Sequence, residues 1–210
     1  DLRLSRGLGD VYKRQTFLYM FGFTVMHAVF ILYTQMDPST GGLGFSEADN
    51  GRIFALIGIL GIVTQGGLIG PLTRRFGSLF ILRLGSVLSG IGLVLIPYST
   101  LDFVWAWMIF ITGCIAIGNG LFQPSSSTLL TSLARRDDYE LGAVMGSQES
   151  LSSFARILGP LTGGYVWTIT VDRTGFFDYH TAFHICGVLM ILTFLLSFKV
   201  EFSHAEQTSQ

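Results

Sequence analysis

Long apolar runs, each about as long as a membrane is thick, dominate the pattern of hydrophobic and polar positions along this chain. About 20 consecutive apolar residues in a helix cross a hydrocarbon core of roughly 30 Å. Backbone groups in lipid must be hydrogen-bonded within the segment, so such runs predict helices. The pattern therefore predicts an all-α membrane protein with six transmembrane helices. The predicted spans cover roughly residues 16–35, 52–72, 79–98, 103–132, 142–168 and 180–198.

The spans differ in polarity. The third and sixth are mainly apolar, whereas the second, fourth and fifth carry glycine and polar residues at helical spacing. On the fifth span, one stripe with this spacing is predicted to meet protein or water. It consists of Gly142, Gly146, Glu149, Ser153, Arg156, Pro160 and Gly163. The opposite face, predicted to meet lipid or apolar neighbours, consists of Val144, Leu151, Phe154, Leu158 and Leu161.

The order of the spans repeats in threes, with a glycine-rich polar span followed by an apolar one in each triplet. This order predicts an inverted three-plus-three repeat, which is typical of secondary transporters. Small residues let helices approach closely in lipid. The positions predicted to serve helix packing are Gly66, Gly146, Gly159, Pro160 and Gly163.

Composition supports a membrane location. The chain has 210 residues, of which 50% are hydrophobic and 13% are charged, and its mean hydropathy is +0.55. Soluble domains carry about 25% charged residues. No basic cluster points to nucleic acid as a partner. The two cysteines, Cys114 and Cys186, lie inside apolar runs and are interpreted as buried thiols rather than a disulfide.

Loop charges predict the orientation. If the spans alternate, one side of the membrane carries nine basic residues and the other carries Arg52 and Arg173. By the positive-inside rule, both termini are then cytoplasmic, in a multi-pass protein of a plasma or inner membrane. Tryptophans at the outer span ends fit an interfacial belt: Trp105, Trp107 and Trp167. The nine basic residues are Arg3, Arg6, Lys13, Arg14, Arg74, Arg75, Arg135, Arg136 and Lys199.

Three segments divide the chain. Residues 1–15 are polar and join the first span abruptly. They are either the end of a linker from a preceding domain or a non-native leader, and we favour the second and exclude them from fold reasoning. Residues 16–200 form the predicted six-helix bundle, and residues 201–210 form a polar cytoplasmic tail.

A short motif lies between the second and third spans. The stretch from Gly70 to Gly77 resembles the second, degenerate copy of the cytoplasmic loop motif of the major facilitator superfamily. Gly70, Arg75 and Gly77 match that motif, and Arg74 stands where the family has an aspartate.

Three further stretches resemble the drug/proton antiporter branch of that family, which includes tetracycline-efflux-type proteins. They are Leu43–Ser46, Gln65–Gly67 and Arg156-x-x-Gly159-Pro160. The resemblance implies the C-terminal six-helix half of a twelve-helix transporter whose N-terminal half is missing from this chain. It also implies that the first and fourth spans line a central cavity, the second and fifth face the other half, and the third and sixth face lipid.

Two charged residues lie inside the fifth span. Glu149 is a candidate proton carrier because a carboxylate within a span is costly and therefore functional by default. Alternatively it lies near the cytoplasmic end and reaches water or a partner there. Arg156 binds an anionic group or the other half, or it donates to carbonyl groups of neighbouring helices. Seven residues separate the two, about 10 Å along the axis, which predicts no direct ion pair.

Neutral polar residues supply the other candidates. His27 in the first span titrates near neutral pH, or it makes an ordinary helix contact. Gln65, Asn119 and Gln123 either line the cavity or make hydrogen bonds between helices.

These patterns predict a secondary transporter that moves a small molecule. The resemblance implies ion-coupled alternating access, with drug/proton antiport as one form of it. The expected partners are the bilayer, the substrate, protons and the missing half. The sequence has no nucleotide-binding loop and neither an HExxH nor a GxSxG motif. We therefore expect no catalytic residues, no cofactor and no metal site. The alternative is a non-transporting or self-dimerising membrane protein with six spans.

Overall fold

The computed structural model describes most of the chain. Its backbone is described for residues 2–99, 101–136, 140–173, 175 and 177–208. Side chains are described from residue 9 to residue 198 with the same gaps. The side chains of Arg3, Arg6 and Lys199, which contribute to the predicted orientation, lie outside this range, as do those of the predicted tail 201–210.

Helices account for nearly all of the described residues. They are α1 (Leu2–Gln35), α2 (Glu47–Val63), α3 (Ile69–Phe76), α4 (Ser78–Leu95), α5 (Val104–Arg136), α6 (Leu141–Thr170) and α7 (His180–Thr208). A π-helical segment, Thr64–Leu68, joins α2 to α3 without a break. Short 3-10 turns cover Pro38–Thr40 and Ile96–Tyr98. The described part of the chain therefore forms six long rods, one for each predicted span.

Five rods are long and apolar enough to cross a membrane. These stretches are Gly9–Gln35, Glu47–Phe76, Ser78–Tyr98, Val104–Arg136 and His180–Phe198. Helix α6 does not reach that apolarity, although its 30 residues correspond to about 45 Å. Its apolar run is interrupted by Gln148, Glu149 and Arg156. The fifth predicted span, 142–168, therefore remains a prediction.

The rods pack in an arc whose order differs from the chain order. Helix α4 packs against α5 and α7, and α1 packs against α7 and α6. Helix α2 packs mainly on α5. Following these contacts gives the order α2, α5, α4, α7, α1, α6. Helices α2 and α6 stand at the two ends of this order, so the arc is open between them.

A close helix crossing joins α4 to α5 through small residues. A Cβ atom added at Gly85 would lie 2.7 Å from the carbonyl oxygen of Gly118. A Cβ atom at Gly118 would lie 2.6 Å from the backbone nitrogen of Ser89. Helix α1 is joined to this crossing by Tyr19, whose hydroxyl lies 2.6 Å from the Ser89 hydroxyl and whose ring stacks on Phe122. Three helices therefore meet where backbones can touch.

A second close crossing joins α1 to α6. Cβ atoms at Gly159 and Gly163 would collide with Thr24 and with the backbone of Val25. Thr24 also donates a hydrogen bond to the Ala155 carbonyl at 3.1 Å. The other predicted packing positions lie elsewhere. Nothing lies within 4 Å of a Cβ at Gly66 or Gly146, and Pro160 is exposed.

The Leu43–Ser46 stretch is the structural start of α2. Gly44 has a φ of +63°, which places Phe45 so that its N–H donates to the Thr34 carbonyl at 2.7 Å. Leu43 and Phe45 are buried. Ser46 then caps α2 in a capping box with Asp49. The structure thus assigns this motif a local folding role.

We expect Gly85→Val to destabilise the bundle, because the new methyl groups meet the backbone of α5. Overpacking typically costs about 1–3 kcal/mol, and more where backbone must move. Gly113→Val on α5 is the matched control, since a Cβ there would have only the Cδ1 atom of Leu60, at 3.8 Å, within 4 Å. Thermal unfolding of the purified protein in detergent measures both. Equal melting temperatures for the two variants would contradict the crossing.

We expect Ser46→Ala to cost about 1 kcal/mol by removing the capping box of α2. Ser150→Ala is the control, since the Ser150 hydroxyl only donates to the Gly146 carbonyl on the same helix. The same thermal unfolding experiment tests this. Equal melting temperatures of the two alanine variants would contradict the prediction.

Candidate functional site

The candidate residues lie around the open side of the arc, on four different helices. His27 lies on α1, Asn119 and Gln123 on α5, and Gln65 between α2 and α3. Glu149 and Arg156 lie on α6. Asn119 and Gln123 are half-buried, and the other four residues are exposed. They divide into an amide and aromatic group on α1, α2 and α5, and an ion pair on α6.

Gln123 of α5 contacts α1. Its side-chain amide donates to the Met20 sulfur at 2.6 Å. One turn away, the side-chain oxygen of Asn119 is buried and has no hydrogen-bond partner. A buried amide oxygen without a partner costs free energy, so this position favours contact with a donor from outside the described residues.

His27 lies in an aromatic setting. The Phe23 ring is 4.5 Å from the imidazole and tilted by 59°, and the Phe54 ring of α2 is 6.4 Å away. The Nδ1 atom of His27 lies 3.0 Å from the Phe23 carbonyl oxygen. The structure therefore places His27 between two phenylalanines rather than in a polar helix contact.

Gln65 is exposed by the π-helical segment. Thr64, the first residue of that segment, is buried and packs at Gly120 of α5. Gln65, Gly66 and Gly67 then face outward. Such π turns hold an extra residue and occur frequently at functional sites.

Glu149 and Arg156 form a direct ion pair, so the prediction that they are too far apart is wrong. Arg156 Nη1 lies 3.0 Å from Glu149 Oε1. The axial separation is as predicted, but the two long side chains extend toward each other along the helix and cover it. Both side chains are more than half exposed, at 64% for Glu149 and 51% for Arg156.

The faces of α6 also differ from prediction. The predicted polar stripe, apart from Gly163, is exposed, and so are Phe154 and Leu161 of the predicted apolar face. The packed face lies about a quarter turn from Glu149, at roughly 100° per residue. It consists of Gln148, Ser152, Ala155, Gly159, Gly163, Trp167 and Thr170. Ala155, Gly159 and Gly163, which contact α1, are all small residues.

A buried polar cluster was not predicted. Thr16 and Ser126 lie with their hydroxyl oxygens 2.8 Å apart, and the Gln148 amide donates to Ser126 at 3.5 Å. The cluster joins α1, α5 and α6. Gln148 is 5% exposed, and its side-chain oxygen has no partner. The sequence signal was the polar run after Pro124, which periodicity alone does not connect to α6.

The loop motif between the second and third spans forms the turn from α3 to α4. Gly77 has a φ of +82°, and its N–H donates to the Thr73 carbonyl at 2.9 Å. Arg74 and Arg75 occupy the last turn of α3, where cations are favoured by the helix dipole. Both are exposed, and a Cβ at Gly70 would meet nothing within 4 Å.

Several known proteins are similar to this chain. The dipeptide and tripeptide permease A of Serratia proteamaculans is 30% identical over 134 residues, which is 60% of this chain and 26% of that protein. The permease A of Yersinia pestis is 33% identical over the same length. That of Pectobacterium carotovorum is 30% identical over 158 residues, 72% of this chain and 28% of the relative. The chain thus spans only about a quarter of these relatives.

Solved structures share the fold. A peptide transporter POT crystallised with sulfate superimposes with a TM-score of 0.69 at 21% identity. The match covers 92% of this chain and 37% of that one. A second structure of the transporter, in complex with alafosfalin, gives a TM-score of 0.63 at 20% identity. At this identity the likeness supports the fold alone.

These similarities do not support the predicted drug/proton antiporter branch, because the three relatives are peptide permeases. The family model of the Major Facilitator Superfamily matches residues 2–160 and 69–209, which together cover nearly the whole chain. Together with five apolar helices, this identifies a multi-pass integral membrane protein. The chain belongs to the Major Facilitator Superfamily of membrane transporters.

Proposed function

We propose that this chain is the C-terminal half of a transporter that moves dipeptides and tripeptides across the membrane together with protons. The observation that carries the proposal is the similarity of more than half of the chain to dipeptide and tripeptide permeases. Drug/proton antiport and efflux have no comparable support and are replaced by peptide uptake.

The chemistry of the open side suits a small peptide. A peptide offers amide groups, apolar side chains and two charged ends. The amide side chains of Gln65, Asn119 and Gln123 can form hydrogen bonds with the amide groups of a peptide. The phenylalanine rings around His27 can pack against its apolar side chains. The pair formed by Glu149 and Arg156 carries both signs of charge. Ligand sites commonly combine such apolar walls with a few polar groups.

The packing order supports an inverted repeat. Helix α1, the first of the first triplet, packs on α6 and α7 of the second. Helix α5, the first of the second triplet, packs on α2 and α4 of the first. In each triplet the first helix thus packs against helices of the other triplet. Two three-helix units related by a pseudo-two-fold axis produce this arrangement. In this proposal α6 also crosses the membrane, as the fifth span, and its polar stripe is covered in the complete protein.

The missing N-terminal half would cover α2, α3 and α6. Glycines on α2 and α3 face open space, including Gly58, Gly61 and Gly70, and so does Gly146 on α6. Exposed small residues permit close approach of another helix in lipid. Arg74, Arg75, Arg135 and Arg136 lie at helix ends that face one side, which we infer is the cytoplasm.

Uptake of a labelled dipeptide tests the proposed function. The protein encoded by the full reading frame, including sequence upstream of Thr16, is reconstituted into liposomes. An inward proton gradient should drive dipeptide accumulation above the level of empty liposomes, and collapsing the gradient should abolish it. Accumulation of a tetracycline instead would restore the antiporter interpretation. If the frame has no further spans and the chain forms a stable dimer without transport, the self-dimerising alternative replaces the proposal.

We expect water to reach Gln123, which is half-buried, but not Ile91, which is exposed in this half and faces lipid in the proposal. Gln123→Cys and Ile91→Cys are made in a background in which every native cysteine, including Cys114 and Cys186, is replaced. A charged, membrane-impermeant methanethiosulfonate reagent should label the first and spare the second, because thiolates form in water and not in lipid. Excess dipeptide should slow the labelling. Equal labelling of both positions would contradict a cavity at α5.

A further inference from the structure

We propose that His180, His184 and Tyr98 form a binding site for a divalent transition metal ion of the class of Zn²⁺. The site lies at the end of the bundle away from Arg74 and Arg75, in a part of the chain that the proposed function does not use. His180 and His184 are four residues apart at the start of α7, so they lie on one face of that helix. The two histidines of HExxH zinc sites have the same spacing, although the motif itself is absent.

Asp178 holds His180 in the tautomer that a metal ion needs. The Nδ1 atom of His180 lies 3.0 Å from Asp178 Oδ1, and the backbone N–H of His180 donates to the same oxygen at 2.9 Å. An ionised carboxylate can only accept, so the hydrogen is on Nδ1 and the free lone pair is on Nε2. Metal-bound histidines usually make such a contact through their second nitrogen, because it orients the ring and raises its basicity.

The two imidazole rings are already spaced for one shared ion. Their centres are 6.0 Å apart, and their planes are inclined by 28°. Zinc bonds to an imidazole nitrogen at about 2.0–2.1 Å, so two rings bound to one ion have centres roughly 5–6 Å apart. Rotation of the side chains therefore brings both nitrogens to the ion without movement of the helix.

Tyr98, which follows α4, supplies a third ligand. Its hydroxyl oxygen lies 2.8 Å from Nε2 of His184, and its ring centre lies 5.1 Å from that of His180. Two ligands of one tetrahedral zinc ion are roughly 3.3 Å apart, so this pair needs to open only slightly. On binding, the phenol proton leaves to water and the phenolate oxygen bonds to the ion. The metal then joins the end of α4 to the start of α7, two helices that pack against each other.

The three side chains line one groove that ions from water can enter. The groove has a volume of about 550 Å³ and is also lined by Asp178 and Thr181. Tyr98 and His184 are exposed, and His180 is half-buried. The hydroxyl oxygen of Thr181 is buried and has no hydrogen-bond partner among the described residues. A water molecule bound as the fourth ligand of the metal is a suitable donor for this oxygen.

The donor set differs from the usual combination of imidazole, thiolate and carboxylate. In the described part of the chain, no three histidine, cysteine, aspartate or glutamate side chains are arranged to hold a metal ion. Asp178 does not complete such a set, because its oxygen is bonded to the Nδ1 side of His180. The proposed site instead combines two imidazole nitrogens with one phenol oxygen, and nitrogen and oxygen ligands of this kind suit zinc and copper.

Zinc titration of the full-length protein in detergent, without a histidine tag, tests the proposal. We expect calorimetry to show saturable Zn²⁺ binding that EDTA reverses, and thermal unfolding to shift to higher temperature with zinc. His184→Ala should remove one bound Zn²⁺ per chain together with this shift. Asp178→Asn should weaken the site by about 10–100-fold, because the partner that orients His180 is lost.

Two control variants separate metal binding from general effects on the fold. His27→Gln removes an exposed histidine on α1 and should bind zinc as the wild type does. His184→Cys replaces the imidazole with a thiolate ligand, so it should keep the site that His184→Ala loses. In EDTA the two variants at position 184 should unfold at the same temperature.

Two results would overturn the proposal. One is a wild-type protein without saturable zinc binding, and the other is binding that survives both His180→Ala and His184→Ala. The measurement involves no transported substrate. Its outcome is therefore independent of whether the protein carries peptides.

Discussion

The contact of α4 with α5 determines how the rest of the bundle is arranged. At Gly85, Ser89 and Gly118 the two backbones touch, so no side chain larger than a hydroxymethyl group fits between them. In lipid, helices gain little from hydrophobic transfer and depend on such close packing. Tyr19 joins α1 to the same point through Ser89 and Phe122, and α1 in turn holds α6 and α7.

The helices could be predicted from sequence because lipid demands long, uninterrupted apolar runs. Each of the six predicted spans corresponds to a rod, and the start of α2 coincides with a capping motif. The packed face of α6 could not be predicted in the same way. Glycine, serine and charged residues all occur along α6, so residue type does not identify its packed face. Gly159 packs against α1, whereas Gly146 has no neighbour within 4 Å, and this difference depends on the shape of α1. The ion pair of Glu149 and Arg156 was missed because helical rise was counted and side-chain reach was not.

The candidate site was predicted by residue type but not by arrangement. Polar residues inside spans identified His27, Asn119 and Gln123, yet their neighbours depend on contacts between distant parts of the chain. Gln148 illustrates the difference. It adjoins Glu149 in sequence but faces the buried Ser126, so one residue belongs to the bundle interior and the next to its open surface. A difference of about 100° around the helix separates a packing role from a functional one.

The π-helical segment Thr64–Leu68 affects the phase of the whole second rod. A π turn contains one residue more than an α turn, so everything beyond Leu68 is rotated by about 100° relative to an uninterrupted α-helix. Thr64 can therefore face α5 while Arg74 and Arg75 emerge at the end of the rod on a different face. Deleting one residue from this segment would restore a regular helix and turn those two arginines to a new direction. The length of this segment, and not only its composition, thus sets where the positive charge of the following loop is presented.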